Sequence, residues 1–280
     1  MRIKEIAEFR KMIYLAYEKL ERFFPWRENI YGHYTEWGIL VSEIMLQQTQ
    51  TSRVLSYWEP WMKKWPTPKR MSAASLQEVM KEWSGLGFNR RAKSLLECAR
   101  IICRKFGGRV PDTPDVLEKL PGIGPYTAGA IACFAYNYPA ALLETNIRSV
   151  MIHFFFDGRD GITDKEIMPL LNAVLDRANP RVWNWALMDY GVALKELLPN
   201  PGRRSAHYIL QDKFEGSFRQ LRGSLVRQLA VKGPLTAEAL YACLDVTAEK
   251  KDFYRALEAL EKECMVGEEG GTYCIKAIGK

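Results

Sequence analysis

Two carboxylates, a glycine-rich turn and a pair of glutamines stand out among the 280 residues as groups able to do chemistry. Glu43 lies in the run Ser42-Glu43-Ile44-Met45-Leu46-Gln47-Gln48-Thr49-Gln50, with Leu40, Ile44, Met45 and Leu46 as apolar neighbours. On a helix this places the carboxyl beside a packed face, where desolvation raises its pKa toward the range of a general acid. The same spacing also suits a solvated glutamate on a helix surface. Glu144 precedes Thr145, Asn146 and a helical run over residues 147–156. There it can cap the helix, whose positive dipole end favours a carboxylate. Between two helical segments runs Leu120-Pro121-Gly122-Ile123-Gly124-Pro125-Tyr126. Gly122 and Gly124 leave backbone N–H groups bare, and Pro125 fits the first position of a helix, so the turn can hold a phosphate without a side chain. An ordinary helix-to-helix corner is the alternative.

Helices must position these groups. From residue 4 to about 215 the apolar residues recur every three or four positions, and no alternating strand pattern interrupts them. Pro25, Pro66, Pro68, Gly85, Gly87, Gly107, Gly108, Pro114 and the turn at 121–124 mark the helix ends. After residue 215 the pattern changes to a helix over 218–231, a second starting at Thr236, a third over 249–265, and two short strands in 266–275 around Gly270 and Gly271. Three helices and a hairpin predict a small winged-helix-like α+β unit over 216–280, behind an all-α domain over 1–215. Lys and Arg number 40 against 33 for Asp and Glu, a net of +7. The last 65 residues hold ten basic and nine acidic side chains, so +6 lies upstream and that part is expected to face a polyanion. The third C-terminal helix carries Glu249, Asp252, Glu258, Glu261 and Glu263, which points to packing or a protein partner before a second DNA reader. Six cysteines form no C-x-x-C pair and histidines number three, which excludes a zinc site. No apolar run approaches the roughly 20 residues of a membrane span, and charges occupy the opening residues. A monomer in the cytoplasm, associated with the nucleoid, is expected.

The run from Leu120 to Ala130 resembles the helix-hairpin-helix of the DNA glycosylase superfamily that includes endonuclease III. The segment from Ser42 to Gln50 is similar to the one that marks its adenine-specific MutY branch. Pro25-Trp26-Arg27, Gly85-Leu86-Gly87-Phe88 and Ala186-Leu187-Met188-Asp189-Tyr190-Gly191 stand in the family's order, so the resemblance spans about residues 20 to 195. It implies a two-lobed helical glycosylase fold, with residues 30–135 carrying the hairpin, residues 1–29 and 136–215 forming the other lobe, and the active site in the cleft between them. It implies hydrolytic excision of a mispaired base flipped out of double-stranded DNA, the leading target being adenine opposite guanine or 8-oxoguanine.

The resemblance also distributes roles. Glu43 matches the glutamate that protonates the departing base, and Asn146 an asparagine that orients the region. Glu144 stands where the family has aspartate, a departure that moves the carboxylate by about 1.5 Å. Tyr126 stands where bifunctional lyases carry a nucleophilic lysine, and a tyrosine forms no Schiff base. A monofunctional glycosylase follows. Gln48 and Phe88 match residues that invade the duplex, Gln47 lies beside them, and Arg90, Arg91 and Lys93 suit phosphates. The family's four cluster-binding cysteines are missing after Gly191, so no iron-sulfur cluster or other cofactor is expected. The tail is too short and too helical for the MutT-like domain of many relatives. Two alternatives remain: a thymine or uracil mismatch glycosylase, and a non-catalytic DNA-binding protein that kept the fold.

Overall fold

A computed structural model describes residues 3–28, 35–210 and 213–276; the boundary expected between residues 29 and 30 lies outside them. The described chain is helical apart from one hairpin. Its helices are α1 (Ile3–Leu20), α2 (Glu36–Leu46), α3 (Thr51–Lys64), α4 (Pro68–Ser72), α5 (Leu76–Trp83), α6 (Arg90–Phe106) and α7 (Pro114–Leu117). There follow α8 (Pro125–Tyr136), α9 (Thr145–Phe155), α10 (Asp164–Val174), α11 (Pro180–Leu197), α12 (Phe218–Lys232), α13 (Ala237–Ala242) and α14 (Lys250–Lys262), then β1 (Val266–Glu269) and β2 (Thr272–Ile275). No described helix is long and apolar enough to cross a membrane. Contacts divide the chain into two compact units, one made of Met1–Ile39, Pro111–Lys119 and Ile123–Leu210, the other of Leu40–Val110, Leu120–Gly122 and Gln211–Lys280.

The first unit is built on α1, α8, α9, α10 and α11. Their apolar faces meet in a core that includes Phe9, Ile13, Ile147, Val150, Met151, Trp183 and Leu187. Phe9 sits edge-on to Phe154, Phe155 and Trp183, with ring centroids 5.1–5.9 Å apart. α11 approaches the start of α9 so closely that a Cβ on Gly191 would lie 2.4 Å from the Asn146 carbonyl oxygen. Asp189, two residues earlier, has a side chain with no exposure. Its carboxylate accepts from the backbone N–H and the guanidinium of Arg22 and from both terminal nitrogens of Arg27. That network ties two motifs 162 residues apart in sequence, Pro25-Trp26-Arg27 and the middle of α11.

In the second unit Trp61 packs edge-on against Trp65 and Trp83, and the unit buries Met71, Met80, Leu95, Leu96 and Ile102. Ser75 and Glu78 form a capping box that starts α5. The C-terminal helices belong to this unit: α12 packs on α5, and Lys93 Nζ on α6 donates to the Glu263 carbonyl at the end of α14. β1 and β2 pair antiparallel from Val266 opposite Ile275 to Glu269 opposite Thr272, and Leu235 bridges to Tyr273. The three-helix-and-hairpin order expected beyond residue 215 is thus present. Its last helix stops at Lys262, short of the expected 265, where Cys264 turns to a positive φ of 53°.

One device recurs in both units. The last carbonyls of α4 accept from Arg100, those of α8 from Arg181, those of α9 from Arg204 and those of α10 from Arg10. Each arginine comes from another helix or loop and donates to carbonyls at the end of a helix, where the dipole is negative.

The Asp189 network allows a direct test. Asp189→Asn keeps the shape but leaves Arg22 and Arg27 facing an uncharged, buried amide, and is expected to lower the unfolding free energy by about 3 kcal/mol. A urea midpoint unchanged from wild type at equal m-value would contradict it.

Candidate functional site

Glu43 is carried on the last turns of α2, where Leu40, Val41, Ser42, Ile44 and Met45 are all buried. Glu43 itself is half-buried, so its carboxyl stands at the margin of an otherwise desolvated helix. Beyond the helix end, Gln48 is exposed and adopts φ 52°. Phe88 is 41% exposed with φ 48°. Left-handed backbone is uncommon for side chains of this size and persists only where surroundings impose it, commonly at ligand-contact positions. The two residues expected to invade a duplex are therefore both strained, outward-facing positions of this unit, as is Cys264 at the end of α14.

Arg91 lies against both of these loops. The sequence assigns it to a phosphate, and the structure corrects this: Arg91 is 8% exposed and its guanidinium turns inward. Nη1 donates to the carbonyls of Ile44, Met45 and Gln47 at 3.0, 2.7 and 2.5 Å. Nη2 donates to Thr49 Oγ1 at 3.0 Å and to the Gly87 carbonyl at 3.1 Å, with the Leu86 carbonyl at 3.5 Å. The guanidinium carbon lies 5.2 Å from the Trp83 ring centre and 5.3 Å from that of Phe88. Burial pulls the Arg91 pKa down to about 10, which leaves it charged at neutral pH. Arg90 is exposed and Gln47 half-buried, with Gln47 Nε2 donating to the Gly122 carbonyl at 3.1 Å. The Lys93 ammonium, also assigned to phosphates, donates to the C-terminal segment.

The turn before α8 holds its two glycines for different reasons. Gly122 has φ +74°, and a Cβ there would fall 2.7 Å from Ser94 Cβ. The protein's own packing requires it. Gly124 has an ordinary φ of −92° and ψ of 178°, and a Cβ there would meet nothing within 4 Å. It is the N-cap of α8, with Pro125 as the first helical residue, no side-chain cap, and the positive end of the helix dipole behind it. Ile123, between them, is buried and anchors the turn. Tyr126, second in α8, is 40% exposed.

Glu144 caps α9. Its Oε1 accepts from the N–H groups of Asn146 and Ile147, both at 2.8 Å, and its Oε2 from Asn146 Nδ2 at 3.0 Å and Thr145 Oγ1 at 3.1 Å. The longer side chain folds back onto its own helix, so the departure from aspartate is absorbed locally. Asn146 fixes the carboxylate through two donors, and Gly191 leaves room for the Asn146 backbone. Lys195, one turn beyond Gly191, is a residue that the sequence alone did not single out. Burial pulls its ammonium pKa down, while the charge of Glu144 pushes it back up.

The structure thus groups Glu43, Gln47, Gln48, Phe88, Arg90, Arg91 and Gly122 in one compact unit, and Gly124, Tyr126, Glu144 and Asn146 in the other. All six cysteines are free. The residues after α11 do not fit an iron-sulfur cluster: no cysteine lies between Cys133 and Cys243, and residues 199–206 are packed by their own side chains. Asn200 Oδ1 accepts from the Gly202 N–H and Ser149 Oγ, and Ile162 pairs with the Arg204 carbonyl and the Ala206 N–H.

Comparison with known proteins agrees with this arrangement. The adenine DNA glycosylase of Mycolicibacterium smegmatis is 39% identical over 284 residues, covering 94% of this chain and 94% of that protein. The adenine DNA glycosylase of Mycobacterium tuberculosis H37Rv is 36% identical over 271 residues, covering 89% and 87%. Among solved structures, a thermostable thymine-DNA glycosylase aligns with a TM-score of 0.60 at 25% identity, over 71% of this chain and 91% of its own. An endonuclease III–DNA complex aligns at 0.56 and 18% identity, over 68% and 86%, and shares the fold. The profile of the HhH-GPD superfamily of base excision DNA repair proteins matches residues 41–177, the span from the Glu43 helix through the glycine turn and the Glu144 cap to α10. The chain belongs to that superfamily.

Proposed function

We propose that the protein is a monofunctional adenine DNA glycosylase, which extrudes adenine mispaired with guanine or 8-oxoguanine from duplex DNA and hydrolyses its N-glycosidic bond. The observation that carries the reading is similarity along nearly the whole chain to proteins named adenine DNA glycosylase. The local geometry is consistent with each role. Glu43 delivers a proton to the departing base, and its place among buried neighbours limits competition from water. Glu144, fixed by four donors, offers a carboxylate to the positive charge that develops on the sugar. Tyr126 supplies a hydroxyl and no amine, so the product is an intact abasic site. Gln48 and Phe88 fill the stack, and the open space beside Gly124, at the positive end of the α8 dipole, takes a backbone phosphate. The partner is double-stranded DNA bearing a mismatch or damaged base, met by a monomer close to the nucleoid, with the C-terminal unit free for a protein partner.

A second reading is favoured by the thymine-DNA glycosylase likeness. A panel of duplexes bearing adenine, thymine or uracil opposite guanine, and adenine opposite 8-oxoguanine, separates the two by the base released. Adenine release is expected, and release of thymine alone would replace the proposal with the second reading. On the adenine duplex, Glu43→Gln should abolish release while duplex binding persists. Glu144→Asp should cap α9 and keep stability, yet slow single-turnover release by about 100-fold, because its carboxylate withdraws from where Asn146 holds it. An aspartate variant as fast as wild type would show that the reaction does not depend on the extra methylene of glutamate at 144.

The two glycines of the turn should also part company. Gly124→Ala is expected to leave stability unchanged and weaken duplex binding, since its methyl occupies the space left for a phosphate. Gly122→Ala is expected to cost about 1–3 kcal/mol of stability through its positive φ and the clash with Ser94. Equal duplex affinity for wild type and Gly124→Ala would remove the phosphate role. The cofactor proposal is checked by metal analysis: freshly purified protein should contain no iron and show no thiolate-to-iron absorption, and stoichiometric iron would overturn it.

A further inference from the structure

We propose that Arg91 is a positioning residue for base extrusion, holding Gln48 and Phe88 in the strained backbone that aims them at a duplex. The inference rests on the glycosylase reading above and adds to it a residue that touches no DNA.

The arginine's hydrogen bonds bracket both positions. It binds the carbonyl of Gln47 just before Gln48 and the hydroxyl of Thr49 just after it. It binds the Gly87 carbonyl just before Phe88 and lies over the Phe88 ring. The Nη1 that reaches Gln47 also closes the end of α2 at Ile44 and Met45. One planar cation thus ties the two loops to each other and to a helix end. A residue at φ near +50° relaxes to negative φ once its neighbours let go, since that is the lower-energy backbone for a side chain. Losing the clamp should therefore redirect Gln48 and Phe88 before it unfolds the unit. Lysine cannot replace this function, because a single ammonium lacks the fork that reaches both loops at once.

The position of the clamp also predicts which step suffers. Arg91 brackets the two invading residues, whereas on α2 it touches only backbone beyond Glu43. Extrusion of a paired base should suffer, and bond cleavage in a base already extruded should not. The test is single-turnover adenine release by full-length Arg91→Lys from two duplexes, one with the target base paired in a mismatch, the other with it in a single-base bulge where no pairing need be broken. A third duplex carrying 2-aminopurine at the target reports extrusion by fluorescence. Release from the paired target and the 2-aminopurine rise should both slow by about 100-fold, and release from the bulged target should stay near the wild-type rate. Equal loss on the paired and bulged targets would overturn the proposal, showing that the arginine serves the fold in general, and so would no loss on either. If Arg91→Lys does not fold, Thr49→Val removes the single bond on the far side of Gln48. It should show a smaller defect with the same preference for the paired target, and a defect without that preference overturns the proposal. Failure of the wild-type protein to release adenine from any duplex would instead remove the glycosylase reading itself.

Discussion

Helix ends pose the problem that the rest of this structure is arranged to solve. The last turn of an α-helix leaves four carbonyls without partners at the negative end of the dipole. In this chain five helices solve it with a guanidinium from elsewhere: Arg91 on α2, Arg100 on α4, Arg181 on α8, Arg204 on α9 and Arg10 on α10. Three of the five carry or introduce candidate functional groups: Glu43 on α2, the Gly124 turn and Tyr126 on α8, and Glu144 on α9. Each group is thus placed by a helix whose far or near end is tied down by a long-range, charge-assisted bond, stronger than a neutral one and geometrically forked.

α9 shows both halves of the arrangement. Its N-terminus is closed by the Glu144 carboxylate and its C-terminus by Arg204, so opposite charges meet both dipole ends. A carboxylate that caps a helix is already oriented and needs no reorganisation when a cation develops nearby, which is the property that electrostatic catalysis requires. In the proposed reaction, structural and chemical duties coincide in one side chain.

Much of this was legible in the sequence because it is written in local chemistry. Pro125 and the glycines before it fixed the start of α8, Thr236 capped α13 as its residue type demands, and Gly270 with Gly271 located the hairpin turn. Glu144 followed by Thr145 and Asn146 already spelled a helix cap. Arg91 was not legible, because a charged side chain is by default assigned to water and only the folded chain shows five carbonyls converging on it. Its neighbours Ala92, Leu95 and Leu96 held the clue: position 91 starts the buried stripe of α6. The Arg27–Asp189 pair escaped for a different reason, since each motif stood out singly and nothing local links residues so far apart. The reason for glutamate at 144 also required coordinates, because the reach of one methylene is judged only against the N–H groups it meets.

The arginine caps change what the basic composition means. A duplex sheds condensed counterions only where a cation reaches its phosphates, and the dependence of affinity on ionic strength counts such contacts. Guanidiniums whose donors are committed to carbonyls inside the fold displace none. The excess of 40 basic over 33 acidic side chains is therefore partly the signature of internal architecture. A relative could lose much of its formal charge on the outside, keep these five arginines, and still fold the same way.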